Sequence, residues 1–323
     1  MIRILNIEPE GYCNEARTIL NQIGEVVEAP LQRIELLKRL PEFDVLILRL
    51  AHQIDREVID ACSRLKIIVT ATTGLDHIDI DYARSKGIAV LSLYGETEFL
   101  NTINATAEHT WALLLALIRR IPQAFFSVRA GNWDRDSFRG SELVNKRLGI
   151  VGLGRIGRKV ACYGLVFGMN VSAFDPYTEK WVEGVVKRAT LHELLNQAYI
   201  ISLHIPLNAG TKGMIGTEEL QILPQGAVLI NTSRGEIIDE KFLVKALESR
   251  HLAGAAMDVV THERELEQRL ECPLLAYAKV HENLIITPHI AGATYESMAK
   301  TEVFMARKLA AFLNESKIEG KKV

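Results

Sequence analysis

The feature that most narrows the possible folds of this chain is a glycine turn between an apolar strand and a helix. Residues 152–157 read Gly-Leu-Gly-Arg-Ile-Gly, the spacing G-x-G-x-x-G. The turn follows LGIVGL (148–153) and opens the helical stretch RIGRKVACYGLVFG (155–168), whose last residue, Gly168, suits a helix C-terminus. The next strand, VSAFD (171–175), ends in Asp175, 18 residues beyond Gly157. The spacing alone is a weak signal, but in this strand–turn–helix–strand setting it predicts a dinucleotide site. Gly152 allows the tight turn, Gly154 lets backbone approach a pyrophosphate, and Gly157 lets helix pack on strand. The helix start, with Arg155 and Ile156, offers unpaired N–H groups to phosphates. Asp175 can accept hydrogen bonds from ribose hydroxyls and would repel a 2′-phosphate. No arginine follows it within a few residues, so NAD is expected over NADP.

Short apolar runs alternate with helical patterns along the whole chain. The first series holds strand candidates at 2–7, 44–50, 66–72 and 88–93, with helices at 34–40 and 57–65 between them. The second holds strands at 147–154, 171–175, 199–206, 227–233, 254–260 and 284–290. Such alternation indicates βαβ units and parallel sheets, and 323 residues suit about two domains. The expected fold is therefore α/β, with two doubly wound parallel sheets. Residues 1–103 plus 292–323 form one domain and 104–291 the other. Between the series, NATAEHTWALLLALIRRI (104–121) is apolar on nearly every face and predicts a buried helix. The amphipathic stretch 296–314 is expected to return to the first domain and leave EGKKV as a frayed tail.

Composition removes several function classes. The net charge of −2 and pI near 6.5 argue against nucleic acid as partner. Cys13, Cys62, Cys162 and Cys272 form no CxxC pair, and no His, Cys or carboxylate set has metal-ligand spacing, so no metal is expected. The N-terminus MIRILNIEPEGY reads as a strand and not a signal peptide. The longest uncharged run, 194–211, is too polar to span a bilayer. A soluble cytoplasmic protein that binds no membrane is expected.

In open α/β sheets ligands bind beyond the carboxyl ends of the strands. There the sequence carries Arg234 after LIN, Glu263 after AMDVV and His289 after LIITP. Taken singly, Arg234 is an ordinary turn arginine, Glu263 part of a charge run, and His289 a backbone-satisfying histidine. Together on one sheet edge they suit oxidation of a hydroxy acid. Arg234 offers a planar fork to a carboxylate, His289 a base for the hydroxyl proton, and Glu263 an anion that fixes the imidazole. His204 suits either the flank of a nicotinamide or a buried structural role, and His109 reads as a satisfied core or interface histidine.

The chain resembles the D-isomer-specific 2-hydroxyacid dehydrogenase family over nearly its whole length. The resemblance rests on GLDHID (74–79), ATAEHTWALLLAL (105–117), GNWDR (131–135), LGIVGLGRIGR (148–158), LHIPLNAGTKGMI (203–215), NTSRGEIID (231–239), GAAMDVV (254–260) and TPHIAGAT (287–294). It implies two Rossmann-like domains flanking an interdomain cleft, with 104–291 as the NAD-binding domain and the other as the substrate domain. The implied catalytic triad is Arg234, Glu263 (five residues after Asp258, the family offset) and His289. Backbone amides at Thr73 and Gly74 would hold the substrate carboxylate, and Pro206, Thr211, Thr232, Asp258 and Gly292 would line the NAD site. A homodimer through the NAD-binding domain is implied, with PQAFFSVRAGNWDR (122–135) as its arm.

Departures from the family pattern do not touch the triad, and they bear on substrate more than on reaction type. Thr72-Thr73-Gly74 replaces a commoner Gly-Val-Gly, Leu50 follows Arg49 where serine is frequent, and Arg264 stands where proline usually follows the glutamate. RIPQAF, GNWDR and GLGRIGR look like the phosphoglycerate dehydrogenase branch, although the chain ends without the regulatory domain many of those enzymes carry. Lactate-, glycerate- or glyoxylate-type substrates fit equally, whereas formate dehydrogenases have glutamine at the Glu263 position. The alternative function is an NAD-sensing corepressor on the same fold, a type that usually carries a long C-terminal tail.

Overall fold

The structure, a computed structural model, describes residues 1–318. The stretch EGKKV lies outside the described residues. The chain divides into two compact units, Met1–Thr102 with Thr294–Val323, and Ile103–Ala293.

The first unit holds β1 (Arg3–Asn6), β2 (Glu25–Glu28), β3 (Val45–Leu48), β4 (Ile67–Thr70) and β5 (Ala89–Leu91) in the order β2-β1-β3-β4-β5. All pairings are parallel. Parallel strands covered on both faces become continuous apolar runs, and β3 (VLIL) and β4 (IIVT) are buried at every residue. Side chains alternate between two cores. Ile4, Val45 and Ile67 face one with Met305, Leu309 and Leu313 of helix Tyr295–Ile318, while Leu5, Leu46 and Ile68 face the other with Leu36, Phe43 and Val58. The sequence reading misses β2, because EVVE shows only two apolar residues. Register with β1 makes it a strand, setting Val26 beside Ile4 and Val27 beside Leu5.

The second unit holds β6 (Arg147–Val151), β7 (Asn170–Phe174), β8 (Val186–Lys187), β9 (Ile200–Leu203), β10 (Ala227–Asn231), β11 (Leu252–Met257) and β12 (Leu284–Ile286). Their order is β12-β11-β10-β9-β6-β7-β8, again all parallel. The chain builds outward from β6 on one side, then crosses to β9 on the other. The β6/β9 boundary is therefore the switch point at which such sheets bind ligands. Two-residue, exposed β8 is the strand the sequence does not announce.

Helix Ala105–Ile118 covers one face of this sheet, burying Ala107, Trp111, Leu113, Leu114 and Leu117. It ends three residues short of the expected 121. Arg120 takes a left-handed conformation (φ 52°), and Pro122 is the second residue of the next helix, Ile121–Arg129. Proline lacks an amide and its ring clashes with the carbonyl four residues back, so one continuous helix cannot run through it. Among the described residues no single helix is long and apolar enough to cross a membrane.

Candidate active site

Because every strand of the second unit runs parallel, all its carboxyl ends lie on one edge. That edge receives Gly152–Gly157 after β6, Asp175 after β7, Pro206 and Thr211 after β9, Thr232 and Arg234 after β10, Asp258 and Glu263 after β11, and His289 and Gly292 after β12. Thr73 and Gly74 follow β4 in the first unit, where Thr72 Oγ1 donates to the Gly74 carbonyl at 2.9 Å.

The glycine turn is packed on one side and open on the other. A Cβ at Gly152 would lie 2.5 Å from the His204 carbonyl oxygen, and one at Gly157 2.0 Å from that of Gly152. Around Gly154 nothing lies within 4 Å of such an atom. The first amides of helix Arg155–Val166 have no acceptor within the helix, and burial pushes the Arg155 guanidinium below its ordinary value. An anion at this helix start would offset that cost. Asp175 accepts the amide of Leu153 at Oδ2 (2.8 Å) and those of Tyr177 and Thr178 at Oδ1 (2.8 and 3.1 Å). A carboxylate has about four acceptor sites, so capacity for a ribose hydroxyl remains. These residues fit a dinucleotide.

One cation near Asp175 escapes a reading along the chain. Arg158, from the helix, donates to Thr178 Oγ1 (2.7 Å) and to the carbonyls of Lys180 (3.0 Å) and Leu153 (2.8 Å). It thus braces the loop after Asp175 although no arginine follows Asp175 closely in sequence.

His289 Nδ1 faces Glu263 Oε1 at 2.5 Å. The carboxylate only accepts, so the ring proton sits on Nδ1 and Nε2 is left to exchange a proton with a ligand. Both ends of this pair rest on strained backbone. His289 has φ 54°, and His262, which precedes Glu263, has φ 55°. Such conformations cost of order 1–3 kcal/mol each and persist where the surroundings impose them. For His289 the surroundings are Asp258, whose carbonyl accepts the His289 amide at 2.8 Å. The Asp258 carboxylate accepts from Thr287 Oγ1 (2.6 Å), the Ile290 amide (2.9 Å) and the Ala291 amide (2.7 Å).

For Glu263 the supports are Arg269, which donates to its carbonyl at 2.9 Å, and Glu240, which accepts the Thr261 amide. Gly235 completes the approach of the neighbouring loop. A Cβ there would lie 2.2 Å from the Val260 carbonyl carbon, so only glycine lets the turn carrying Arg234 touch the chain leading to Glu263. The half-buried Arg234 donates to the Ser233 carbonyl (2.7 Å), and its own carbonyl accepts from Asn231 Nδ2 (2.8 Å).

The remaining residues form the walls. Thr110 Oγ1 donates to the Thr106 carbonyl (2.8 Å), so Thr232 Oγ1, 2.9 Å away, donates to Thr110. Thr211 Oγ1 donates to the Pro206 carbonyl at 2.6 Å and ties their loop together. His204 Nε2 lies 2.8 Å from Ser202 Oγ, and burial pushes its imidazole down to about 3, so the ring stays neutral at ordinary pH. Sequence reasoning missed Glu240, Arg158 and the Thr287–Asp258 contact. Each is joined to the site across strands, with no spacing to reveal it.

Residues 111–291 match the family described as D-isomer specific 2-hydroxyacid dehydrogenase, NAD binding domain. The chain is 37% identical over 317 residues to the D-3-phosphoglycerate dehydrogenase of Methanocaldococcus jannaschii, covering 97% of this chain and 58% of that protein. It is 34% identical over 285 residues to the hydroxypyruvate reductase of Thermotoga maritima, covering 88% and 90%. The D-lactate dehydrogenase of Aquifex aeolicus, solved with NAD and lactic acid, superposes with a TM-score of 0.84 at 29% identity and 98% coverage of both chains. The chain spans 50–58% of the length of the phosphoglycerate dehydrogenases it matches.

Proposed function

Because the chain belongs to the D-isomer-specific 2-hydroxyacid dehydrogenase family, we propose that it transfers a hydride between NAD and C2 of a D-2-hydroxy acid/2-oxo acid pair. The observation that carries this reading is the 2.5 Å His289–Glu263 pair on the same sheet edge as Arg234 and the glycine turn.

The second unit would hold the cofactor, with Gly152, Gly154, Arg155, Ile156 and Gly157 at the pyrophosphate and Asp175 at the ribose. Pro206, Thr211, Thr232, Asp258 and Gly292 would line the rest of that site. Bound NAD supplies the hydride acceptor, and NADH the donor. Arg234 presents two parallel N–H groups to the substrate carboxylate. The amides of Thr73 and Gly74, after β4 of the first unit, are further candidates to bind substrate. His289 Nε2 gives its proton to the oxo oxygen in reduction and takes it from the hydroxyl in oxidation. Glu263 keeps Nδ1 protonated, so Nε2 is always the atom that changes state.

The substrate is a small 2-oxo acid of the hydroxypyruvate, phosphohydroxypyruvate, glyoxylate or pyruvate type, in keeping with relatives that are a D-3-phosphoglycerate dehydrogenase, a hydroxypyruvate reductase, a D-lactate dehydrogenase and a glyoxylate reductase. The corepressor reading is not favoured, since those relatives are dehydrogenases and reductases. Helix Ile121–Arg129 has no buried residue and exposes Phe125 and Phe126, and Trp133 beyond it is 89% exposed. An apolar patch of this kind suits an interface and supports a homodimer through the second unit. Four free cysteines suit a cytoplasmic protein.

The experiment is turnover of a panel of 2-oxo acids with NADH, followed by loss of nicotinamide absorbance. Measurable reduction of at least one member, lowered on the order of 10²–10⁴-fold in His289→Ala, is expected. No turnover of any member would overturn the reading.

A further inference from the structure

His109 sits on helix Ala105–Ile118, remote in sequence from the triad, and its ring is only 18% exposed. Its Nε2 lies 3.0 Å from Thr287 Oγ1 and 3.3 Å from Asp258 Oδ1. The direction of these contacts follows from proton counting. Thr287 Oγ1 has one hydrogen, and it points to Asp258 Oδ1 at 2.6 Å, because a carboxylate only accepts. Thr287 must therefore accept from His109. So Nε2 carries a hydrogen, shared between the Thr287 hydroxyl and the Asp258 carboxylate.

We propose that His109 is a positioning residue for His289, acting through the Thr287 hydroxyl and the Asp258 carboxylate. The inference rests on the dehydrogenase reading above, in which His289 handles the proton.

Asp258 joins the His109–Thr287 contact to His289. Its carboxylate takes Thr287 on one side and the amides of Ile290 and Ala291 on the other, while its carbonyl takes the amide of His289. Five residues, 287–291, are thus folded around one side chain, with His289 at the centre in its left-handed conformation. Burial pushes the Asp258 carboxyl up. The hydrogen bonds from His109, Thr287, Ala291 and Ile290 outweigh burial, and the net value falls below the ordinary 3.8. His109 comes first among those donors, and it is the only one of them outside the 287–291 segment. It therefore ties the segment to the helix packed across the sheet face. Without it, Thr287 and Asp258 keep each other but lose their fixed neighbour, and His289 gains freedom to turn from Glu263.

The test uses the full chain with 15N-labelled histidine, without cofactor, and reads the His289 ring nitrogens by long-range NMR correlations. The parent is expected to show a single Nδ1–H ring. His109→Leu removes the donor and should give His289 mixed or exchange-broadened ring signals. His109→Gln restores a donor near the Nε2 position and should return the parent pattern. In turnover, kcat of His109→Leu should fall about ten- to a hundredfold, the scale of a small misplacement of a reacting group, with KM for the oxo acid changed much less. His109→Gln should recover most of that loss. Parent-like His289 signals in His109→Leu would overturn the proposal, and so would a His109→Gln variant that folds but matches His109→Leu in both readouts. If the parent reduces no 2-oxo acid, the dehydrogenase reading fails, while the ring signals still decide the role of His109.

Discussion

Glu240 accepts the amide of Thr261 at 2.6 Å, and two residues later the chain delivers Glu263. Glu240 begins helix Glu240–Glu248 and is only 8% exposed. Its second oxygen receives the thiol of Cys272 at 3.3 Å. Burial pushes that thiol up to about 11, so it keeps its hydrogen and donates. The latch joins the helix after β10 to the loop after β11, and so fixes Glu263 from outside the site.

Glu240→Ala should therefore strand the Thr261 amide and destabilise the protein by about 1–3 kcal/mol, with kcat falling as Glu263 loosens. Glu240→Gln retains an acceptor for Thr261 and should recover most of both. Urea unfolding and steady-state kinetics measure the two effects. A Glu240→Ala protein with parental stability would show that the latch contributes nothing.

Glu263→Gln should lower kcat about ten- to a hundredfold in both directions, the scale of a small misplacement of a reacting group. The amide can turn its NH2 toward Nδ1, so the ring loses the acceptor that keeps its hydrogen there. KM for the oxo acid should change much less. A kcat within a few-fold of the parent would break the link between these residues.

Arg234→Ala should raise KM for the oxo acid and lower kcat, since the fork both binds and orients the substrate. Arg234→Lys should restore only part, because a point charge cannot make the paired contact. If kcat/KM of Arg234→Ala stays within a few-fold of the parent, Arg234 is an ordinary turn residue.

At the ribose, NADH should be preferred over NADPH by more than about tenfold, or 1.4 kcal/mol. Asp175→Ser should narrow the gap from both sides, by removing the repelling charge and by leaving the Arg158 guanidinium held against this loop. Competition between the two cofactors in one assay reads this directly. Equal use by the parent would remove the role assigned to Asp175.

Asp258 makes a pH prediction with a defined sign. Its value is depressed in the folded state, so its contribution is complete above the unfolded carboxyl value of 3.8 and is lost as pH falls through the lower folded value. Asp258→Asn should cost about 2–3 kcal/mol at neutral pH, the scale of hydrogen bonds to a charged group. Its stability should also decline less than the parent's on acidification below 3.8. Parallel stability curves for the two proteins between neutral pH and 3 would contradict the assignment.

The sequence showed most clearly what repeats or what carries a local signature. Apolar runs located ten of the twelve strands among the described residues, and parallel topology then gathers Gly154, Arg234, Glu263 and His289 on one edge without further information. Legibility failed where pairing supplies what composition lacks. Glu25–Glu28 and Val186–Lys187 become strands only beside β1 and β7. It failed again for polar contacts between distant segments. His109 and Thr287 are 178 residues apart, and Arg158 and Thr178 lie on different elements. A histidine on an apolar helix reads as core material until the strand end opposite it is known.

The seven-stranded sheet also works as a ruler. Parallel neighbours stand about 4.8 Å apart, so the glycine turn after β6 lies about 10 Å of strand spacing from Arg234 after β10, and about 19 Å from His289 after β12. Arg234, Glu263 and His289 follow three successive strands, β10, β11 and β12. Under the proposed function, an extended ligand anchored at the turn would be measured against these steps. Loops can therefore lengthen or change composition and alter what is bound, but a strand gained or lost between β6 and β12 would shift the chemistry by a whole graduation.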